Sequence, residues 1–261
     1  MTKNNYLLIE NYMKKCMSDA AHDQEHVYRV LFMALEIARF ENDVNHDVLI
    51  TASLLHDIGR DEQLKDPSVC HAKVGSEKAY CFLIENGFDE NFAEHVKSCI
   101  LTHRYRKNTP PQTIEAKILF DADKIDVAGL CGIARTLLYK GNVQAPLYIV
   151  NDGKISKGDG VGEVSFFQEY KYKLENIYDR FFTERGRQIA AKRRKATNGN
   201  FCAKVFIGFE NHVMLYLRME RYFEYICNTH IINFLQHDFL SILLLSLRQN
   251  LYTPILFHVL Y

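Results

Sequence analysis

The chain of 261 residues lacks net charge, paired cysteines and long apolar runs, and each absence excludes a class of protein. Its 32 acidic and 32 basic residues balance, whereas a general nucleic-acid binder needs a basic excess or stripe. Its seven cysteines form no C-x-x-C pair, so reduced thiols and a cytoplasmic location are expected. The start of the chain has no uninterrupted apolar segment, and the apolar stretch 239–247 is shorter than the roughly 20 residues that cross a bilayer. We therefore expect no signal peptide, no transmembrane segment and no nucleic-acid partner.

Apolar residues recur at helical spacing along most of the first 197 residues, which predicts an all-α fold. A Gly- and Asp-containing segment near 142–162 predicts a loop or short hairpin. The predicted helices span residues 4–17, 23–41, 46–58, 71–86, 90–103, 113–139, 165–182 and 184–196, with Asp23 as the cap of the second.

Two imidazoles and two carboxylates within these helices form the mixed ligand set suited to a divalent metal: His26, His56, Asp57 and Asp123. His-Asp pairs occur four times in the chain, but only His56-Asp57 ends a strongly apolar helical run. Burying such a pair is costly unless a partner such as a cation compensates it. A solvated helix end is the alternative for this pair, and His26 taken alone is more often a core or boundary histidine than a ligand.

Three aspartates, Asp121, Asp123 and Asp126, follow in another apolar helical pattern. Asp123 and Asp126 share a helix face, whereas Asp121 points elsewhere. Acidic residues on one buried face repel each other unless a cation or a lysine offsets them. The residues together predict a metal site inside a helical bundle.

The order of these motifs resembles the HD-domain superfamily of metal-dependent phosphohydrolases, and in particular a small bacterial subgroup of predicted HD hydrolases. The resemblance covers roughly residues 20–196. It rests on Asp23-x-x-His26-x-x-Arg29-Val30, Leu54-Leu55-His56-Asp57-Ile58-Gly59-Arg60, His71-Ala72-x-x-Gly75-Ser76-Glu77, Ile100-x-x-His103, Asp121-Ala122-Asp123-Lys124-Ile125-Asp126 and Thr183-Glu184-x-Gly186-Arg187-x-Ile189-Ala190-x-x-Arg193.

The resemblance implies an HD-domain helical bundle whose metal ligands are His26, His56, Asp57 and Asp123. Asp123 is preferred to Asp121 because the ligand of the family is the aspartate of the Ala-Asp pair. His71 and His103 occupy positions where related proteins place ligands of a second metal or groups that contact substrate phosphate. A plain surface or helix-capping histidine is the alternative for both. One or two ions of Mn, Mg, Co, Ni or Fe are expected.

The resemblance also implies roles for charged residues beside these ligands. Asp57 would bridge the metal and the attacking water, Arg60 would clamp phosphate, and Lys124 would add positive charge for the substrate. Asp61 would serve as a general base, although the residue before it is arginine where guanosine-tetraphosphate hydrolases have glutamate. A solvated, charged loop is the alternative for Arg60 and Asp61.

The implied function is a metal-dependent phosphohydrolase that cleaves a phosphate monoester, phosphoanhydride or phosphodiester bond of a nucleotide or other small phosphorylated molecule. Two alternatives stay open. One is a non-catalytic HD module that binds metal or nucleotide, and the other is an HD-type diiron oxygenase that uses His71 and His103 as further ligands. Metal content and oxygen dependence would separate them.

Residues 198–261 differ in composition from the rest of the chain. They contain 8 charged side chains in 64 residues, against 56 in the preceding 197, and 12 of the 64 are Phe or Tyr. A helical extension, a peripheral membrane contact and an out-of-frame addition without a specific fold are the three explanations, and the lack of clean periodicity favours the third. We expect an HD domain over 1–197, with the hairpin near 142–162 as a candidate lid, and an atypical tail over 198–261.

Overall fold

The computed structural model describes residues 1–17, 24–105, 109–151, 154–155 and 164–198, and these ranges are mostly helical, which confirms the all-α prediction. A π-helical turn over Tyr170–Leu174 and a 3-10 turn over Ile177–Asp179 separate the last two helices. The ten helices of the described residues are α1 Lys3–Cys16, α2 Gln24–Ala38, α3 His46–Leu55, α4 Arg60–Lys65, α5 His71–Glu85, α6 Glu90–Thr102, α7 Ile114–Asp126, α8 Gly129–Asn142, α9 Phe166–Glu169 and α10 Glu184–Asn198. Within the same ranges, no helix combines the length and apolar content needed to cross a membrane.

Polar side chains set the starting points of the helices that carry the candidate ligands. Asn45 Oδ1 accepts hydrogen bonds from the backbone N–H groups of Asp47 and Val48 at the start of α3. Thr113 Oγ1 accepts from the backbone N–H of Ala116 at the start of α7. The predicted cap of α2, Asp23, lies outside the described residues.

One compact unit comprises Met1–Gly132 and Asn176–Ala196, with α3 in its centre. Within it, α2 packs against α3 and α7, and α5 packs against α6. Leu49, Leu54, Leu55 and Ile58 are fully buried, and each such side chain contributes about 1.5–3 kcal/mol relative to exposure. The His56-Asp57 pair directly follows the end of this buried helix, and both residues are themselves buried.

A second unit includes Ile133–Glu175, in which Ile133, Phe166, Tyr170 and Leu174 form a small apolar cluster. Strands β1 (Val150–Asn151) and β2 (Lys154–Ile155) pair antiparallel there, with Val150 opposite Ile155. A short hairpin is thus present in the predicted segment, although residues 152–153 and 156–163 lie outside the described ranges. Its role as a lid and the tail over 198–261 stay predictions.

The single helix predicted over 113–139 is two helices in the structure. Gly129 has φ of +77°, a conformation that residues with a Cβ rarely adopt, and α8 begins there. Arg193 Nη1 on α10 donates to the carbonyl oxygens of Ile125 and Ala128, at 2.5 and 3.4 Å. Because these carbonyls are at the end of α7, the guanidinium satisfies acceptors that the helix itself leaves open.

The helix predicted over 46–58 ends earlier, at Leu55, and a separate short helix follows at Arg60. Gly59 stands between them and packs against the first turn of α5. A Cβ at this position would lie 2.7 Å from the backbone nitrogen of Gly75 and would also clash with the carbonyl oxygen of His71. Glycine is therefore required by a close approach of two backbones.

Gly59→Ala is expected to lower the free energy of unfolding by about 1–3 kcal/mol, because the added methyl must push α5 away from the end of α3. Thermal denaturation would measure this loss. Gly141→Ala is the matched control, since nothing lies within 4 Å of a Cβ there. Equal midpoints for the two variants would contradict the close-packing account.

Candidate metal centre

One donor cluster joins α2, the residue after α3, and α7. The Nε2 atom of His26 lies 3.2 Å from Asp123 Oδ1 and 3.3 Å from His56 Nε2. One donor atom from each of His26, His56 and Asp123 lies within 4.8 Å of the other two. His26 and His56 are buried, and Asp123 is partly exposed. These three side chains could hold one ion.

A second donor cluster shares its central carboxylate with the first. Asp57 Oδ1 lies 3.3 Å from His71 Nε2 and 3.6 Å from His103 Nε2. The other oxygen, Asp57 Oδ2, is 3.6 Å from the Nε2 atoms of both His26 and His56. Asp57 therefore belongs to the second triad through Oδ1 and also faces the first triad through Oδ2, and all three members of the second triad are buried.

In all four histidines Nε2 points into the centre, because Nδ1 contacts an oxygen atom outside it. The Nδ1 atoms of His56 and His103 lie 2.8 and 2.6 Å from the carbonyl oxygens of Ser53 and Ile100. The Nδ1 atoms of His26 and His71 face Asp126 Oδ2 and Gln63 Oε1, both at 2.7 Å. A carbonyl can only accept, so Nδ1 carries the proton in His56 and His103 and the Nε2 lone pair faces the carboxylates.

The charge pattern of the centre fits a cation. Burial lowers the pKa of His56 to about 4 and that of His71 to about 2, so both rings are neutral near pH 7. Burial opposes ionisation of Asp57, but Arg60 and His56 outweigh it and hold its pKa well below the usual range. His71 Nε2 is buried without a hydrogen-bond partner among the described residues, and Asp57 Oδ1 makes no hydrogen bond there although Arg60 Nε lies 3.0 Å away as an ion-pair partner. Lone pairs facing an ionised carboxylate repel it unless a cation lies between them.

Asp126 orients His26 from behind. Its Oδ2 is 2.7 Å from His26 Nδ1, and its Oδ1 accepts from Arg29 Nε at 2.8 Å. Burial would lower the pKa of His26, but its hydrogen bonds with Asp123 and Asp126 outweigh this and raise it to about 9. A carboxylate behind a ligand imidazole fixes the ring and increases its basicity. The i,i+3 spacing of both Asp123-Asp126 and His26-Arg29 is the sequence signal for this network.

Gln63 fixes the orientation of His71. Both Gln63 Oε1 and Arg104 Nη1 approach His71 Nδ1, at 2.7 and 3.2 Å, and they make opposite demands on that atom. The other end of the amide decides, because Gln63 Nε2 donates to the carbonyl oxygen of Val69 at 3.1 Å. This bond directs Oε1 at the ring, so Nδ1 is the protonated nitrogen and Nε2 faces Asp57. No pattern in the sequence singled out Gln63.

Gln63→Leu is therefore expected to weaken binding in the Asp57-His71-His103 triad by about 10- to 100-fold, the usual cost of losing an outer partner of a ligand. The His26-His56-Asp123 triad should keep its affinity. Titration of metal-free protein with Mn²⁺ would show one weakened site out of two. Gln112→Leu is a control at an exposed glutamine, and equal binding curves for all three proteins would contradict this role of Gln63.

Asp121 makes hydrogen bonds with a different segment from the one that Asp123 contacts. Its Oδ1 accepts from the backbone N–H of Phe182 at 2.9 Å. Its Oδ2 accepts from the backbone N–H and the hydroxyl of Thr183, at 2.7 and 2.6 Å. Thr183 Oγ1 in turn accepts from the N–H of Gly186, where a Cβ would clash with Asp121. Asp121 thus anchors the start of α10 on α7, and the Thr183-to-Arg193 motif has a packing explanation.

The other predicted site residues lie at different distances from the centre. Arg60 Nε is 3.0 Å from Asp57 Oδ1, and Lys124 Nζ is 3.8 Å from Asp123 Oδ2. Asp61 follows on α4 and is half-buried, but no hydrogen bond or ion pair joins it to the two triads in the described part of the chain. Its role as a general base stays a prediction.

Comparison with known proteins places this geometry in a family. The HD domain pattern matches residues 24–128, which include all six residues of the two triads. A predicted HD superfamily hydrolase from an uncultured Thermotogales bacterium is 30% identical, with 74% of this chain and 85% of that chain covered and a TM-score of 0.49. On the pattern match, residues 24–128 form an HD domain and the chain is an HD-domain protein.

Two other relatives are similar over most of the chain. An HD-superfamily hydrolase from Bacillus thuringiensis is 26% identical, with a TM-score of 0.58 and coverage of 80% of this chain and 98% of that chain. The uncharacterized protein YpgQ of Bacillus subtilis is 28% identical over 191 residues, which are 71% of this chain and 84% of YpgQ. The crystal structure of YpgQ in complex with ADP has a TM-score of 0.56 and 24% identity, and the match covers 74% of this chain and 89% of that chain.

Proposed function

We propose that this protein is a phosphohydrolase that uses two divalent cations to cleave a phosphate bond of a nucleotide. The observation that carries the proposal is the position of Asp57. Its Oδ2 faces His26 and His56, and its Oδ1 faces His71 and His103. The ligands would be His26, His56 and Asp123 on one side and His71 and His103 on the other, with Asp57 shared. Paired metal sites are typical of enzymes that displace groups at phosphorus.

The donor set suits hydrolytic metals. Imidazole nitrogens and carboxylate oxygens bind Mn, Fe, Co, Ni and Zn, and carboxylates also bind Mg. When bound, the cations would supply Lewis-acid activation of water and of a phosphoryl oxygen near neutral pH. Cysteine takes no part, because none of the six donors is a thiol.

The protein groups beside the centre have distinct tasks. Arg60 pairs with Asp57 and keeps its carboxylate ionised, which a ligand requires. Its guanidinium has five donors in a planar fork, so it can bind a phosphoryl oxygen while it contacts Asp57. Lys124 adds a second positive charge beside Asp123. A dianionic phosphate would thus meet cationic side chains at both ends of the centre.

A nucleotide is proposed as the substrate on two grounds. The cationic residues Arg60, Arg104 and Lys124 around the triads favour a multiply charged anion over a neutral ester. The relative YpgQ has been crystallised with ADP, which supports a nucleoside phosphate within this subgroup. Both grounds concern binding. A panel of nucleotides and phosphate esters would identify the bond that is cleaved.

The test is phosphate release from a panel of nucleotides and simple phosphate esters by chelated wild-type protein supplied in turn with Mn, Mg, Co, Ni or Fe. We expect no release from the chelated protein and release from at least one nucleotide after metal is restored. Protein that binds metal and nucleotide but releases no phosphate from the whole panel would be a binding module and would overturn the proposal.

A further inference from the structure

Tyr105 has an unusual backbone conformation next to the metal centre. It lies two residues after His103, and its φ is +25°, a region that bulky residues rarely occupy. Its backbone N–H donates to the carbonyl oxygen of Thr102 at 3.0 Å, so the turn closes directly after α6. Sparsely populated conformations of this kind concentrate at ligand-binding positions, because a less strained residue would otherwise be favoured.

The side chain of Tyr105 forms the outer part of an aromatic wall, which we define as Tyr105, Phe120 and Phe182. Its ring centroid is 6.2 Å from that of Phe120 and 6.1 Å from that of Phe182, and those two rings are 5.0 Å apart in an edge-to-face arrangement. Phe120 is buried, whereas Tyr105 is 38% exposed. The wall is therefore backed by the buried Phe120, with Tyr105 as its most exposed ring and Phe182 partly exposed.

Two cations connect the aromatic wall to the metal centre. Lys124 Nζ lies 5.0 Å above the ring of Phe120 and 3.8 Å from Asp123 Oδ2. Arg104 precedes Tyr105 directly, and its Nη1 is 3.2 Å from His71 Nδ1. Lys124 thus contacts both the wall and the His26-His56-Asp123 triad, whereas Arg104 contacts the outer nitrogen of His71 and is joined to the wall through the backbone of Tyr105. An anion held beside Asp123 would therefore have Lys124 and the aromatic wall as its next neighbours.

We propose that the aromatic wall is the base-binding surface of the site, with the planar base of a nucleotide stacked on Tyr105 and its phosphates between Arg104 and Lys124. Every base has a π-face, so stacking on an aromatic side chain selects nucleotides over simple phosphate esters without selecting one base strongly. This base-binding role rests on the proposed function, and it concerns a part of the substrate that lies away from the bond that is cleaved.

The test compares α,β-methylene-ADP with methylenediphosphonate, which has the same P–C–P bridge but no nucleoside. Binding to the Mn-loaded full-length chain would be measured by calorimetry for wild type, Tyr105→Gly and Tyr105→Phe. Glycine adopts positive φ without steric cost, so Tyr105→Gly removes the ring and keeps the turn. We expect the methylene-ADP dissociation constant to rise about 5- to 100-fold in Tyr105→Gly and the methylenediphosphonate constant to stay within about twofold.

Two further proteins complete the comparison. Tyr105→Phe should bind methylene-ADP as wild type does, because stacking needs the ring and not the hydroxyl. Tyr139→Ala, at an exposed tyrosine of α8, should change neither ligand. Manganese content and the thermal midpoint of each variant would show that the centre and the fold are intact.

Equal weakening of both ligands in Tyr105→Gly, or no weakening of either, would overturn the proposal, as would failure of wild type to bind methylene-ADP. These outcomes are distinct from failure of the proposed function. A chain that binds methylene-ADP through Tyr105 but releases no phosphate would retain the base surface and lose the hydrolase assignment. Hydrolysis of a nucleotide that is equally fast in wild type and Tyr105→Gly would retain the hydrolase assignment and overturn the base surface.

Discussion

Asp57→Ala is expected to remove metal from both triads at once and to lower the rate of phosphate release by more than about 100-fold. Loss of an outer partner of a ligand costs up to about that much, and Asp57 directly faces four imidazoles. The two oxygens of one side chain serve both triads, so no other single substitution in the centre should have an equally broad effect. Elemental analysis after gel filtration and a phosphate assay would measure the two losses.

Asp57→Asn sharpens the result because it keeps the size of the side chain and removes its charge. We expect it to behave like Asp57→Ala in both measurements, since an amide cannot supply two anionic donors. Asp47→Ala, at a half-buried aspartate in the first turn of α3 that belongs to neither triad, is the control and should keep full metal content. Two metal ions retained in Asp57→Ala would show that Asp57 is not shared between sites.

Substitutions of Asp121 and Asp123, which are only two residues apart, are expected to have opposite effects on stability and on metal binding. Asp121→Ala leaves the N–H groups of Phe182 and Thr183 and one hydroxyl without their acceptor. Each unsatisfied buried donor costs about 1–3 kcal/mol, so we expect a loss of about 3 kcal/mol in total and a fall in thermal midpoint of about 6–12 °C. Metal binding should persist in the folded protein, because Asp121 contacts neither triad.

Asp123→Ala should instead lose metal from the His26-His56 side and keep the thermal midpoint of the metal-free protein within a few degrees. The substitution removes the contact of Asp123 with His26 Nε2, but Asp126 still holds the other nitrogen of the ring, so His26 keeps a carboxylate partner in the folded protein. Denaturation of chelated proteins and metal titration of folded ones would separate the two effects. Loss of metal from Asp121→Ala at an unchanged midpoint would exchange the roles assigned here.

The sequence allowed the fold class and the four central residues to be predicted because both depend on local pattern. Helical spacing of apolar residues identifies most of the helices, and the flanking residues of His56-Asp57 distinguish it from three other His-Asp pairs. The face shared by Asp123 and Asp126 follows from helical geometry alone, and in the structure both carboxylates contact His26.

The parts that were not predicted depend on contacts between distant segments. The break between α7 and α8 requires Gly129 in a left-handed conformation and Arg193 from 64 residues further along the chain. The role of Gln63 depends on the loop that brings Val69 and His71 to the same amide. Neither contact has a periodic signal, because helical spacing reports which face of a helix is buried but not which partner lies against it.

The most direct test of the central claim is to follow phosphate release and oxygen uptake together while Mn²⁺ or Fe²⁺ is added to chelated protein in the presence of a nucleotide. We expect phosphate release to rise with bound metal, to level off near two ions per chain and to occur without oxygen uptake. Oxygen-dependent turnover with two bound irons and no phosphate release would contradict this expectation and would identify a diiron oxygenase in place of a phosphohydrolase.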